Sequence, residues 1–264
     1  MKTTIKGAEA YLKIIGTALP KKIDKNTKTH SSVIGLVRTE IVKAGLTITG
    51  EEYRCSNNGH VATGTFLTSL VSHPDLTFAV SFINSYNKQY SFQIGLGYVM
   101  KDSENFLMGA DGVSKNSVIL AFTTEDYISS FIRASSGHLT QLVSNMHVMK
   151  RQILSEGSQF EIIGEMFFKK NMLSSMQMNM IKTIRDTYVF STESEYEYDP
   201  NSAWALYNYI GAALKETHPG DWIDAQVALH RVFNTYVDFS LTATAEPVSD
   251  HESLLKEAAE PLPF

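Results

Sequence analysis

The stretch Thr77–Met100, TFAVSFINSYNKQYSFQIGLGYVM, limits the possible folds more than any other part of the chain. Phe78, Val80, Phe82 and Asn84 alternate with Ala79, Ser81 and Ile83, which is the period-2 spacing of a strand. Ser85–Lys88 interrupts the run with small and polar residues. Tyr90, Phe92, Ile94, Leu96 and Tyr98 then alternate with Ser91, Gln93, Gly95, Gly97 and Val99. The pattern predicts a β-hairpin. Gly95 and Gly97 fall on its less apolar face, where glycine marks a bulge, a bend or the close approach of another backbone. The polar tip around Asn84–Asn87 reads as a turn with Asn side chains capping their own backbone. The alternative is a binding role for the tip.

Around this hairpin the same logic places further elements. Val33, Ile34, Val37, Ile41 and Ala44 form the apolar stripe of a helix over His30–Leu46, with Ser31 or Ser32 as cap and Gly45 as stop. His30 beside that cap reads as a capping or surface histidine. Asn57-Asn58-Gly59 is a hairpin-turn signal between β-like segments on either side. An antiparallel sheet or meander between about residues 47 and 122, with the His30–Leu46 helix on one face, follows from these signals. Met1–Pro20 is expected to hold a short helix, with Lys21–Lys28 as a charged loop after it.

After Thr123 the periodicity becomes helical. Leu139, Leu142, Val143, Met146, Met149 and Ile153 keep helical spacing after Ser135-Ser136-Gly137, which is expected to interrupt the preceding helix. Met172–Thr187, the segment after Ser202 and Asp221–Asp238 are further helices, while Phe160–Lys170 is ambiguous. Six of the ten methionines fall within residues 149–180 and are assigned to a helical core, with a methionine-lined partner groove as the alternative. Asn208 lies between aromatic positions and is expected to be a buried hydrogen-bonding residue. The class is therefore α+β, with the sheet and its packed helix first and a mainly helical C-terminal half. One domain over residues 1–240 and an acidic tail over 241–264, loosely ordered or anchored through Leu254-Leu255 and Phe264, are expected.

Composition narrows the chemistry. Residues 1–125 carry 13 Lys and Arg against 10 acids, and residues 126–264 carry 10 against 18, within a net charge of −5. That balance argues against broad nucleic-acid binding but leaves a basic N-terminal face, with Lys21, Lys22 and Lys25 in it. The single cysteine, Cys55, excludes an intramolecular disulfide and a multi-thiolate zinc site and fits a reducing compartment. No apolar run approaches the roughly 18–20 residues that span a membrane, and no secretion signal is read. Cys55 and His60 flank the Asn-Asn-Gly turn, the arrangement a thiol nucleophile requires, although packing and surface roles account for both. Glu193, Glu195, Glu197 and Asp199 read as a solvated acidic connector, with a metal or basic partner as the alternative. No phosphate loop, His-Glu-x-x-His pair, Gly-x-Ser-x-Gly elbow or dinucleotide fingerprint is present. No cofactor and no metal site are expected.

Three short motifs carry a family resemblance. NSYNKQYSFQIGLGYV at Asn84–Val99 resembles the Asn-Ser-x-Asp/Asn-x-Ser segment of the phage/plasmid-like domain-of-unknown-function family 932. SAWALYNYIGAAL, with Trp204, Tyr207 and Asn208, is similar to its late Trp-x-x-x-Asn segment, and RASSGHL at Arg133–Leu139 lies where its members have a helix start. The resemblance spans about residues 50–235. It departs at Val99-Met100-Lys101-Asp102-Ser103, where the family has Val-Cys-x-Asn-Gly. It implies a phage, prophage or plasmid origin and expression in the host cytoplasm, and no reaction.

The resulting expectation is a non-enzymatic phage or mobile-element accessory protein that binds a protein or a single-stranded nucleic acid. For nucleic acid, Tyr86, Tyr90, Phe92 and Tyr98 would stack bases, Lys88, Lys21, Lys22 and Lys25 would meet phosphates, and Asn84 would contribute from the tip. The alternatives are a structural subunit of a virion or homo-oligomer, and a Mg-dependent hydrolase or nuclease using Glu193–Asp199 or Asp102 and Asp111.

Overall fold

A computed structural model describes residues 4–21, 28–70, 73–86, 90–116, 127–190 and 198–240. Lys22, Lys25, Lys88, the run 191–197 and the tail 241–264 lie outside the described residues.

The chain is α+β. Among the described residues seven strands form one antiparallel sheet: β1 Thr4–Lys6, β2 Ile48–Ser56, β3 Val61–Thr68, β4 Leu76–Ser85, β5 Phe92–Met100, β6 Phe106–Leu107 and β7 Val113–Asn116. β1 to β6 lie side by side in chain order, and β7 also pairs with β5. This is the expected meander, built from hairpins that need only short connections.

β4 and β5 sit at its centre. Their register places Phe78 opposite Tyr98, Val80 opposite Leu96 and Phe82 opposite Ile94, so the larger apolar residues of both strands share one face. That face joins the main core with Phe66 of β3 and helix α2, His30–Lys43, through Val33, Val37 and Ile41. The other face is also buried. Ala79, Ile83, Val99 and Phe106 pack there against Trp222 and Ile223 at the start of the last helix. The two glycines of β5 explain how this face is closed. A Cβ on Gly97 would lie 2.5 Å from the Leu107 carbonyl oxygen, and one on Gly95 would lie 2.9 Å from the Met108 sulfur. Only a residue without a side chain lets the β6 segment approach this closely.

The second half is helical: α3 Tyr127–Arg151, α4 Glu156–Gly164, α5 Ser175–Phe190, α6 Ala203–Leu214 and α7 Trp222–Tyr236. α6 begins where Ser202 Oγ accepts the Ala205 N–H, and nearly every residue of the helix is buried. Asn208 carries out its expected role. Its Nδ2 donates to the Trp204 carbonyl at 3.1 Å, and its Oδ1 accepts from Asn105 Nδ2 at 2.9 Å and Ser103 Oγ at 2.8 Å. Of the six methionines in residues 149–180, Met149 and Met166 are fully buried, Met172, Met178 and Met180 are half-buried against the core, and Met176 is exposed.

Two expectations, at Ser135-Ser136-Gly137 and at His30, are corrected, and two further segments gain detail. Ser135-Ser136-Gly137 does not interrupt α3, because Ile132, Leu139, Leu142, Val143 and Met146 hold one buried stripe across it. Phe160–Lys170 resolves as the end of α4 followed by a π-helical turn, Glu165–Lys169. The N-terminus is not helix alone: β1 precedes helix α1, Gly7–Gly16. His30 is neither a surface residue nor an exposed cap, for it is fully buried, and Thr29 caps α2 by accepting the Ser32 N–H.

Candidate partner-binding groove at the sheet edge

The position of the groove follows from where β1 stops. β1 pairs with β2 only from Arg54 to Ser56, whereas β3 pairs with β2 from Ile48 to Cys55. Gly7, at φ +66°, turns the chain out of the strand and into α1. Over residues 48–53 the outer edge of β2 therefore has no strand beside it among the described residues. A groove of about 700 Å³ opens beside Glu51–Arg54 of this strand, between the β1–α1 junction, α2, β2, Glu104 and the end of α6.

β2 alternates, so the groove has two walls. On one side stand Tyr11, Arg38, Glu51 and Tyr53. Arg38 grips Glu51 with two hydrogen bonds, Nε to Oε1 at 2.8 Å and Nη2 to Oε2 at 2.6 Å. The Tyr53 hydroxyl donates to Glu51 Oε2 at 2.7 Å, and the Tyr11 ring lies 5.0 Å from that of Tyr53. Burial opposes the charge on Glu51, yet the Arg38 and Tyr53 hydrogen bonds outweigh it and hold the carboxyl below its ordinary value. Burial and the adjacent Glu51 push the Tyr53 hydroxyl up.

The opposite wall carries Glu52, Arg54 and Lys215, with Glu104 and Lys6 at the rim. The Arg54 guanidinium lies 5.0 Å over the Trp222 ring, and its Nη1 donates to the Lys215 carbonyl at 2.8 Å. Lys215 Nζ donates to the Ser103 carbonyl at 2.7 Å. Lys6 pairs with Glu216. Burial lowers the pKa of both Arg54 and Lys215 against the raising charges of Glu52 and Glu216 at Arg54 and of Glu104 and Glu52 at Lys215, and the charge of Arg54 adds to the lowering at Lys215. Among the described residues, neither cation has a carboxylate at salt-bridge distance.

Those residues singled out from the sequence that are described lie elsewhere. Asn84 and Tyr86 do come together, in a buried cluster around His30. The Tyr86 ring stacks 3.8 Å from the His30 ring, and its hydroxyl accepts the His30 backbone N–H at 2.7 Å. Asn84 Nδ2 meets His30 Nδ1 at 2.8 Å, and His30 Nε2 meets the Gly59 carbonyl at 3.0 Å. A carbonyl only accepts, so Nε2 carries the proton and Nδ1 accepts from Asn84. Both bonds suit a neutral ring. Burial above all, and the charge of His60, lower the His30 pKa to about 4 against the raising effect of the Gly59 bond.

The base-stacking surface is corrected by the same structure. Tyr86 and Phe92 are each 5 % exposed and Tyr98 is 0 % exposed, leaving no ring face for a base. Tyr90 is partly buried against the second core, with its hydroxyl 3.2 Å from Asp221 Oδ2 and His218 Nδ1. Lys21 is exposed but lies outside the groove. Cys55 is buried, and its thiol faces the Ala10 carbonyl at 3.9 Å rather than His60. Asp111 sits 3.7 Å from His138 at an ion-pair distance. Among the described residues no group of three His, Cys, Asp or Glu is placed to hold a metal, and no helix is long and apolar enough to cross a membrane.

The groove residues went unread in the sequence although a signal was present. A strand that carries Glu51, Glu52 and Arg54 in four consecutive positions has the charge density typical of a sheet edge. Comparisons with protein-family models, curated proteins and solved structures found no significant match.

Proposed function

We propose that this chain is a non-enzymatic accessory protein that binds a protein partner by taking an extended segment of it along the outer edge of β2. The edge at residues 48–53, which has no strand beside it among the described residues, together with the groove of about 700 Å³ at Glu51–Arg54, is the observation that carries this reading. Strand addition supplies main-chain hydrogen bonds for affinity and alternate pockets for selectivity. The two walls of the groove supply those pockets. Glu51 and Glu52 would bring like charges together if two copies met at this edge, which favours a foreign segment over self-pairing. Burial of Tyr86, Phe92 and Tyr98 turns the choice between partners from nucleic acid toward protein. The resemblance at Asn84–Val99 and Ser202–Leu214 supports a phage or plasmid setting and the host cytoplasm as the place of action.

The test is a random-peptide library displayed and selected on the full chain. A nitroxide on Thr49→Cys, an exposed edge position, should broaden the resonances of a selected peptide, and one on Phe168→Cys in the helical half should not. Broadening from Phe168 alone would place the partner elsewhere and overturn the proposal.

A further inference from the structure

We infer that Arg54 and Lys215 form a carboxylate subsite that receives an Asp or Glu side chain from the segment paired on β2. The inference rests on the edge-pairing reading and adds what that segment must carry.

Geometry comes first. Side chains of an added strand alternate as those of β2 do, so every second one faces the wall that holds Glu52 and Arg54. Lys6, the last residue of β1, is opposite Arg54 in the ladder. A strand laid along residues 48–53 therefore approaches Arg54 where β1 ends.

The charges then select the occupant. A guanidinium has five N–H donors, and Arg54 places one nitrogen on a protein acceptor, the Lys215 carbonyl. An ammonium has three donors, and Lys215 places one on Ser103. The two cations are half-buried neighbours without a carboxylate at salt-bridge distance among the described residues. Glu52 and Glu216 act on Arg54, and Glu104 and Glu52 on Lys215, through their charge from beyond salt-bridge distance, so both cations keep N–H donors for a carboxylate that comes into direct contact. Glu216 is engaged by Lys6, and Glu51 by Arg38.

The size of that anion's charge is limited as well. Glu51, Glu52 and Glu104 line the same groove. Their repulsion grows with ligand charge, so a singly charged carboxylate is accepted where a doubly charged phosphate is disfavoured. The Trp222 ring, with its centroid 5.0 Å from the Arg54 Cζ, backs the guanidinium on one side and helps to hold it in place.

The experiment selects random heptapeptides on the full wild-type chain and on Arg54→Gln and Lys215→Met. Lys215→Met keeps the aliphatic stem, so it covers the case in which Arg54→Gln fails to fold. Wild type should enrich Asp or Glu at one register position, and both variants should lose that preference. Changing that peptide residue to Asn or Gln should weaken binding to wild type about tenfold, which is the scale of one charge-assisted contact. The same change should leave binding to Lys215→Met nearly unaltered. Selected peptides with no acidic preference, or an equal loss in both proteins, would overturn the subsite while leaving edge pairing intact. Inorganic phosphate displacing such a peptide at lower concentration than acetate would also overturn it. Recovery of no peptide, or of peptides that leave the β2 edge untouched, would instead remove the edge-pairing reading and the subsite with it.

Discussion

The β4–β5 hairpin and β2 belong to one sheet but meet different surroundings. β4 and β5 have a strand on each side and apolar residues on both faces, with Phe78, Phe82, Ile94 and Tyr98 all fully buried. β2 has no strand beside its outer edge from residue 48 to 53 among the described residues, and it carries Glu51 and Glu52 there, with Arg54 next to them where β1 begins to pair. The hairpin that dominates the sequence is thus the part with least freedom to do anything but hold the fold. The strand with the weaker hydrophobic pattern is the one left available. Burial of polar side chains follows the same division: Asn84 and His30 satisfy each other inside, whereas Arg54 and Lys215 face a groove.

Substitutions should separate the two regions, with the largest effects at the centre. Phe82→Ala removes a fully buried ring that packs near Phe66 and over Gly64, and should cost about 3–5 kcal/mol in urea unfolding. A loss below about 1 kcal/mol would show that the centre is less tightly packed than described.

Acidification should come next. His30 and His230 have pKa values lowered to about 4 in the folded chain, chiefly by burial, from an ordinary value of 6.5. Between those values the unfolded chain binds more protons than the folded one, so stability rises with pH. Their contribution is complete above the unfolded value and is lost as pH falls through about 6.5 toward 4. From pH ~7.5 to pH ~5 the loss should be on the order of 2–4 kcal/mol for the two together. His230→Gln should reduce the slope of stability against pH, and an unchanged slope would exclude His230 as a source.

Asn84→Ala leaves His30 Nδ1 without its donor and should cost about 1–3 kcal/mol with the β4–β5 register unchanged. The measurement is the denaturation midpoint alongside the amide spectrum of the hairpin. At the edge, Thr49→Lys should shift stability by less than about 0.5 kcal/mol, since it removes no buried contact. A larger loss would mean that the edge is part of the fold's support rather than a surface held in reserve.

The division also accounts for what could be read from the sequence. The hairpin pairing was legible because alternation extends over Phe78–Phe82 and Phe92–Tyr98, and Gly95 and Gly97 announced the close approach of β6. The start of α6 after Ser202 and the buried Asn208 were legible for similar local reasons. β1 was hidden because three residues cannot show a period and Gly7 ends them at once. The burial of His30 depends on Asn84 and Tyr86, more than fifty positions away, and no local pattern encodes that meeting. Continuity of α3 was obscured by Ser135-Ser136-Gly137, whose helix-weakening tendency yields to the apolar stripe on either side. The groove joins α1, α2, β2 and the end of α6, so its cations and acids become neighbours only once the sheet has formed.

Amide hydrogen exchange, resolved residue by residue on the free chain and on the chain with a selected peptide, tests the central claim most directly. The account predicts that the outward-facing amides between residues 48 and 53 exchange quickly in the free chain, while those of β4 and β5 are the slowest to exchange. The peptide should slow the edge amides and leave the hairpin as it was. Edge amides as slow as those of β4 and β5 before any peptide is added, or unaltered by a peptide that binds, would contradict it.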